Sequence, residues 1–230
     1  MNSISILFSL INDFIKNEKN LNDDFNNNYK ICQGICKRVV ESCNVPVIIN
    51  GSENIPDEGS LLICSNHTSF YDIFALVSCI DRSMSFAAAK ELMKYPLLKK
   101  YIKAINCVLI DRKTEDLKAM KSQLQDMEEA IKNGGLILFP EGECSYLDDE
   151  IKPFKKGGFM AASKLDTTIV PTYIKMENMK KIGKWYIPTD EVEITFGEPF
   201  IPSEVFNGKA SAKKVTEYTR EKVLELRKKV

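Results

Sequence analysis

Short apolar segments of strand length alternate with helical segments along most of the chain. An apolar run of about four to eight residues that is bounded by turn residues is typical of a buried strand. The predicted strands are residues 45–50, 60–64, 84–89, 107–110, 136–139, 168–175, 185–187 and 192–196. The predicted helices are residues 29–42, 73–80, 95–104, a long helix after Thr114, 158–165 and 209–229. This alternation predicts an α/β fold in which a mixed, mostly parallel sheet is flanked by helices.

Two parts of this pattern give the most specific expectations. After Thr114, apolar residues recur at spacings of three and four, which places them on one helix face. These residues are Leu117, Met120, Leu124, Met127 and Ile131. The pair Gly134-Gly135 ends that helix. Further along, segments 185–187 and 192–196 are predicted to pair as a hairpin.

The size and charge of the chain limit its class. A chain of 230 residues with 44% hydrophobic residues can bury one full core, so a single domain is expected. Residues 1–28 are predicted to form an amphipathic N-terminal segment followed by an Asn-rich linker, and residues 29–230 to form the domain. The N-terminal segment is interpreted either as a helix lying on a membrane or as a helix docked on the domain. Lys+Arg and Asp+Glu both number 32, which argues against nucleic acid as a partner.

Cysteine usage points to a reducing compartment. The seven cysteines are an odd number and show no secreted-type framework, so free thiols are expected. Cys32 and Cys36 are spaced as on one helix face, but with a single histidine in the chain a zinc site is not expected.

The single histidine lies at the end of the strand predicted at residues 60–64. His67 precedes Asp72 by five residues, and a helix that starts between them would return the carboxylate to the imidazole. A carboxylate on one ring nitrogen fixes the tautomer and leaves the other nitrogen free to accept a proton. The pattern is equally consistent with a core histidine that a neighbouring aspartate satisfies.

Further polar residues lie at other strand ends. Arg112 leaves the strand at 107–110, and arginine binds phosphate through two parallel hydrogen bonds. Glu141 and Gly142 follow the strand at 136–139 and form a tight turn with free amides. Lys155 and Gly157 precede a helix, whose first amides favour anions. Taken singly, each is also consistent with an ordinary surface residue or turn.

His67, Asp72, Arg112, Glu141 and Gly142 lie in the first three of four ordered blocks, at 66–72, 108–112, 139–145 and 169–172. In these blocks the chain resembles the glycerolipid acyltransferases, and within them the bacterial 1-acylglycerol-3-phosphate acyltransferases. The resemblance covers about residues 45–175. It implies the glycerol-3-phosphate acyltransferase-like fold and makes residues 29–230 an acyltransferase domain.

The resemblance also implies the roles of the site residues. His67 and Asp72 correspond to the family's catalytic dyad, Arg112 to the residue that binds the acceptor phosphate, and Glu141 and Gly142 to the pair that helps to bind or orient the acceptor. From their own chemistry, either Lys113 or the pair Lys155 and Lys156 is expected to help Arg112. The amides of the Gly142 turn or of the Gly157-Gly158 helix start are expected to stabilise the oxyanion.

The expected reaction moves a fatty acyl group from an acyl thioester to the hydroxyl of 1-acylglycerol-3-phosphate and forms phosphatidate. Acyl carrier protein or coenzyme A supplies the acyl group, and no cofactor or metal is expected. The expected location is cytoplasmic, peripheral on the inner face of the cell membrane. Residues 95–103 mix apolar, aromatic and basic side chains and are interpreted either as an interfacial helix or as a packed helix with a solvated lysine face.

The chain departs from the family pattern at three positions. Glu143 and Cys144 stand where the family commonly has Thr-Arg, and Asn106 stands where it has glycine. Alternatives therefore stay open: glycerol-3-phosphate or another lysophospholipid as acceptor, a non-catalytic lipid-surface module, or an acyl-enzyme mechanism with Cys144 as nucleophile. Two nearby carboxylates are expected to disfavour a Cys144 thiolate.

Overall fold

A computed structural model describes residues 3–146, 150–182 and 185–229. Met1 and Asn2 of the N-terminal segment lie outside the described residues. The helices are α1 (Ser3–Glu18), α2 (Phe25–Cys43), α3 (Tyr71–Cys79), α4 (Pro96–Ala104), α5 (Leu117–Lys132), α6 (Gly157–Leu165), α7 (Pro202–Val205) and α8 (Ala212–Arg227). The strands are β1 (Val47–Asn50), β2 (Leu61–Ser65), β3 (Ser85–Ala89), β4 (Val108–Ile110), β5 (Leu136–Leu138), β6 (Thr168–Met176), β7 (Met179–Ile182), β8 (Trp185–Pro188) and β9 (Val192–Phe196). Short 3₁₀ helices span Ser52–Asn54 and Lys90–Lys94.

Seven strands form one sheet in the order β1-β9-β6-β2-β5-β3-β4. Neighbouring strands are parallel except for the antiparallel pair of β6 and β9. At the centre, Ile63 of β2 lies opposite Ile137 of β5 and Val170 of β6. The predicted α/β fold with a mixed, mostly parallel sheet is therefore confirmed.

Parallel strands place their carboxyl ends at one edge of the sheet. His67 follows β2, Arg112 follows β4 and Glu141 follows β5. The three predicted site residues therefore share the edge at which open α/β sheets usually bind ligands.

The predicted hairpin between segments 185–187 and 192–196 is wrong. The strand β8 pairs instead with β7 in a separate two-stranded sheet. The strand β9 is inserted between β1 and β6, and its alternate residues Val192, Ile194 and Phe196 are buried. Burial of this apolar face in the main core outweighs pairing with the strand that is nearest in sequence.

The helix α2 begins at Phe25, one turn before the predicted start at residue 29. The carboxylate of Asp24 accepts hydrogen bonds from the amides of Asn26 and Asn27. This N-cap satisfies two amides that would otherwise lack partners, so part of the Asn-rich stretch is helical. Across the described residues, the helices are too short or too polar to cross a membrane.

Candidate active site

The carboxylate of Asp72 binds the imidazole of His67 and the turn between them. Asp72 lies in the first turn of α3, and its Oδ2 is 2.7 Å from His67 Nδ1. The same oxygen accepts hydrogen bonds from the amides of Thr68, at 2.7 Å, and Ser69, at 3.0 Å. The contact that the five-residue spacing predicts is therefore present, and one buried oxygen fixes both the ring and the backbone that carries it.

The imidazole of His67 is further fixed by an aromatic neighbour. Its ring stacks on Phe139, with centroids 4.1 Å apart and planes at 16°. Because Asp72 accepts from Nδ1–H, the neutral ring carries its lone pair on Nε2. Nε2 lies 3.2 Å from Sγ of Cys144. The ring therefore presents a proton acceptor toward Cys144.

The pKa of His67 is raised above 6.5, to about 10. Burial of the ring, the largest single cause, lowers the pKa, but the hydrogen bonds to Asp72 and Cys144 and the electrostatic interactions with both groups together raise it by more. The imidazolium is the stabilised form because the negative charge of Asp72 faces it. Proton uptake by His67 is thus favoured over that of a solvent-exposed imidazole.

Glu141 is buried behind the imidazole and binds backbone amides. Its Oε1 accepts from the amide of His67 at 2.7 Å, and its Oε2 accepts from the amide of Lys152 at 2.8 Å. Burial raises the pKa of Glu141, and these two amide hydrogen bonds oppose the rise. Both oxygens are engaged within the protein, so the carboxylate holds the His67 turn in place.

The predicted phosphate-binding residues meet around Gly142. Nη1 of Arg112 donates to the carbonyl of Gly142 at 2.5 Å, and Nη2 lies 3.8 Å from Oε2 of Glu91. Gly142 has a φ of +75°, and a Cβ there would lie 2.6 Å from Nζ of Lys155. A side chain at this position would be strained and would displace the lysine.

Gly157 opens α6 beside this group, and a Cβ added there would meet no atom within 4 Å. Arg112, Lys155 and Gly157 line the same cavity as His67. The structure therefore brings together these predicted residues, while Asp72 and Glu141 support them from behind.

Two of the three departures from the family pattern, Glu143 and Cys144, line the cavity at this site. Nζ of Lys152 is 2.9 Å from Oε1 of Glu143, which is exposed. The pKa of Glu143 is lowered, chiefly by Lys152 and further by Lys155 and Arg112. The carboxylate therefore lies in the positive field that an acceptor phosphate would use.

Some supporting residues were not expected from the sequence. The side chain of Asn66 donates to the carbonyl of Ile174 and accepts from its amide, both at 2.8 Å. This pair ties the His67 turn to β6, and its partners are 108 residues apart, so spacing gave no signal for it. The stacking of His67 on Phe139 likewise joins residues from different strand ends.

An apolar cavity of about 830 Å³ extends from the site into the protein. Its lining comes from the six helices α1 to α6 and the strands β3, β4 and β5, and includes Phe14, Cys36, Phe74, Phe86, Ile105 and Cys107. Ligand pockets of proteins commonly occupy about 300–1,000 Å³. The walls suit a long alkyl chain, and the head of that chain would lie at His67.

Comparison with known proteins gives the family. Residues 46–175 match the acyltransferase family, and these residues include every predicted site residue. A probable 1-acyl-sn-glycerol-3-phosphate acyltransferase of Mycoplasma pneumoniae is 31% identical over 172 residues, which are 69% of this chain and 63% of that protein. A 1-acyl-sn-glycerol-3-phosphate acyltransferase of Bacillus subtilis is 23% identical, with 88% of this chain and 98% of that protein covered.

The crystal structure of the 1-acyl-sn-glycerophosphate acyltransferase PlsC of Thermotoga maritima superposes with a TM-score of 0.73. It is 26% identical to this chain and covers 97% of it, with 95% of that protein matched. The family match spans more than half of the chain, and the structural match spans nearly all of it. The chain belongs to the acyltransferase family.

Proposed function

We propose that the protein transfers a fatty acyl group from an acyl thioester to the free hydroxyl of 1-acylglycerol-3-phosphate and so forms phosphatidate. The observation that carries the proposal is the His67–Asp72 pair on the wall of an apolar cavity that Arg112 also lines. A base, an acyl-chain site and a phosphate-binding cation are thus brought together. The acyl thioester is that of acyl carrier protein or of coenzyme A.

The transfer follows from this geometry. His67 Nε2 removes the proton of the acceptor hydroxyl as its oxygen attacks the thioester carbonyl carbon. Asp72 stabilises the imidazolium that forms. The tetrahedral intermediate then expels the donor's sulfur, which takes the proton from His67. Arg112 and Lys155 anchor the acceptor phosphate, and the amides near Gly142 or Gly157 stabilise the oxyanion.

The proposed location is the cytoplasmic face of the cell membrane, to which the protein binds peripherally. The acceptor and the product are both lipids, and a lipid reaches the cavity most directly from a membrane surface. Other acceptors that fit the same chemistry are glycerol-3-phosphate and other lysophospholipids.

The test is a panel of acceptors with both donors, with products identified by mass spectrometry. We expect phosphatidate from 1-acylglycerol-3-phosphate, and we expect His67→Ala to lower turnover by roughly 10²–10⁴ in a folded protein. Activity near wild type in folded His67→Ala would end the proposal, and a preference for another acceptor would reassign the substrate.

A second mechanism for the same reaction is favoured by one observation, the 3.2 Å contact between Cys144 Sγ and His67 Nε2. With Asp72 this contact completes a Cys-His-Asp arrangement. Cys144 would give its proton to His67 and attack the thioester, and the donor thiol would leave with that proton. The acceptor hydroxyl would then give its proton to His67 and attack the carbonyl carbon on Cys144, and Cys144 would leave as the thiol with that proton. Glu141 and Glu143 are the two carboxylates that were expected to disfavour a Cys144 thiolate. Glu141 is hydrogen-bonded to two backbone amides, and Glu143 is paired with Lys152.

The two mechanisms differ in what Cys144→Ala does. Direct transfer predicts that Cys144→Ala keeps most of its activity and that no adduct forms with donor alone. The acyl-enzyme mechanism predicts loss of activity and one hydroxylamine-sensitive acyl group on the wild-type protein. Intact-mass spectrometry separates them, with Cys79→Ala as a control at a thiol that is outside the cavity lining.

A further inference from the structure

One edge of the sheet beside the cavity carries an excess of positive charge. Residues 90–121 contain nine Lys or Arg and four Asp or Glu, a net charge of +5 in a chain whose total is zero. All nine basic side chains are exposed. Three of them pair within the protein: Lys90 with Asp111, Lys100 with Glu18 and Arg112 with Glu91. For the other six, the described residues contain no ion-pair partner.

Contacts join the parts of this segment into one surface. Ala89 lies opposite Ile110 where β3 and β4 end side by side. Lys90 Nζ is 3.3 Å from Asp111 Oδ2, and the amide of Asp111 donates at 2.9 Å to Gln123 in α5. The 3₁₀ helix, the loop after β4 and the start of α5 are therefore held together. We call this surface, residues 90–95 and 111–121, the rim. It contains six Lys or Arg and four Asp or Glu, a net charge of +2. The three lysines of α4, which directly follows the 3₁₀ helix, supply the rest of the excess.

Large apolar side chains are exposed on the rim. The apolar stripe of α5 is buried at Met127 and Ile131, but its first two members are not covered. Leu117 is 80% exposed and Met120 is 52% exposed. Tyr95, at the end of the 3₁₀ helix, is 55% exposed. Exposed Leu, Met and Tyr among lysines are typical of a surface that inserts into a membrane interface.

The rim borders the mouth of the apolar cavity. Leu92, Ile110 and Arg112 line the cavity, and each is in the rim or directly beside it. A lipid that leaves a bilayer in contact with the rim would therefore enter the cavity without crossing water. Charge complementarity favours a negatively charged bilayer, because each lysine near such a surface contributes about 1 kcal/mol of attraction.

We propose that the rim docks the protein on an anionic lipid bilayer, with Leu117 and Met120 inserted among the headgroups. The proposal deepens the proposed function, since it names the face through which the acceptor enters.

The test is sedimentation of the full chain with vesicles that contain phosphatidylglycerol, without substrates. The double variant Leu117→Ser/Met120→Gln should partition into vesicles at least roughly tenfold more weakly, because two apolar side chains lose their burial. Ile48→Thr/Ile49→Thr is the matched control: these exposed residues lie on β1, at the opposite edge of the sheet, and should change partitioning little. Lys118→Gln/Lys121→Gln should weaken binding to anionic vesicles and leave binding to phosphatidylcholine vesicles unchanged.

Unchanged partitioning of the Leu117/Met120 variant, or an equal loss in the β1 control, would overturn the proposal. So would a variant that binds vesicles normally but loses affinity for an acidic carrier protein, since the rim would then dock the donor. Acyl transfer to a short-chain, water-soluble acceptor is measured in parallel. If only the rim proposal fails, acyl transfer to the water-soluble acceptor stays intact. If the proposed function fails, this transfer is absent in the wild-type protein, although the protein still binds vesicles.

Discussion

Three contacts hold His67, two at its imidazole and one at its backbone, and each sets a different property of the base. Asp72 sets the tautomer and the charge, Phe139 sets the plane of the ring, and Glu141 fixes the backbone amide. The contact between His67 and Asp72 was predicted from a spacing of five residues and is confirmed. The contact with Glu141 joins residues 74 positions apart, so no local pattern could have given it. The catalytic roles of these residues remain predictions.

The raised pKa of His67 predicts the pH dependence of transfer. The base must be neutral, so kcat/KM should fall as the pH drops below the pKa of His67, and this decline should begin well above pH 6.5. Asp72→Asn removes the negative charge that favours the imidazolium. The acid limb should then move to lower pH, while the maximal rate falls. A pH–rate profile whose acid limb stays in place in Asp72→Asn would show that another group titrates.

The charges around Gly142 predict opposite effects on acceptor affinity. Arg112→Ala should raise the KM for 1-acylglycerol-3-phosphate, because a charge-assisted contact of roughly 1.5–3 kcal/mol is lost. Glu143→Gln should lower this KM modestly, because it removes a carboxylate from the field of Lys152, Lys155 and Arg112. Both effects should shrink at high salt. Glu204→Gln, on α7, is the control, and a KM that neither site variant changes would place the phosphate elsewhere.

At the scale of elements, the hydrophobic pattern predicted most helices and strands, but it did not predict every strand pairing or which part of each apolar face is buried. The stripe at Leu117, Met120, Leu124, Met127 and Ile131 predicted a helix with one buried face. The helix is present, but only the second half of the stripe is fully buried. The hairpin prediction failed for a related reason, since alternation identifies the buried face of a strand and not the strand beside it. Periodicity thus predicts element type, and the burial of each face depends on the rest of the chain.

The two glycines that open α6 should respond differently to alanine. A Cβ at Gly158 would lie 2.3 Å from Cδ2 of the buried Leu138, so Gly158→Ala should destabilise the protein by about 1–3 kcal/mol. Gly157 has open space within 4 Å, so Gly157→Ala should leave stability nearly unchanged or raise it slightly. Urea unfolding of the two variants measures the difference. Equal stabilities would mean that β5 and α6 separate readily enough to admit a methyl group.

At the scale of the whole molecule, the cavity is the feature that the sequence did not place. The sheet and its functional edge followed from the alternation of elements, because parallel strands must end together. The cavity instead depends on residues from six helices and three strands, and its lining includes Phe14, Cys36, Phe74 and Cys107. No pair of these residues is linked by a periodic pattern. The depth of the cavity could therefore not be predicted from the sequence and is seen only in the packed structure.

The direction of the cavity predicts how acyl-chain length is limited. His67 follows the carboxyl end of β2, whereas Cys107 precedes the amino end of β4. The cavity therefore runs along the strands, from their carboxyl ends to their amino ends. Cys107→Phe places a ring at the far end. We expect it to lower kcat/KM for long acyl donors roughly tenfold or more, since the terminal methylenes lose a burial of about 0.8 kcal/mol each. Short donors should react as before.

Cys107→Ala is the matched control, because it removes the thiol without filling the cavity. It should retain the chain-length profile of the wild-type protein or extend it to longer chains. Competition between donors of different length in one reaction measures the profile directly, and thermal unfolding reports whether the larger ring disturbs the core. If Cys107→Phe reduces short and long donors equally while the protein stays folded, the acyl chain does not reach the amino end of β4. The chain would then bind in the part of the cavity nearer to Phe70 and Ile73.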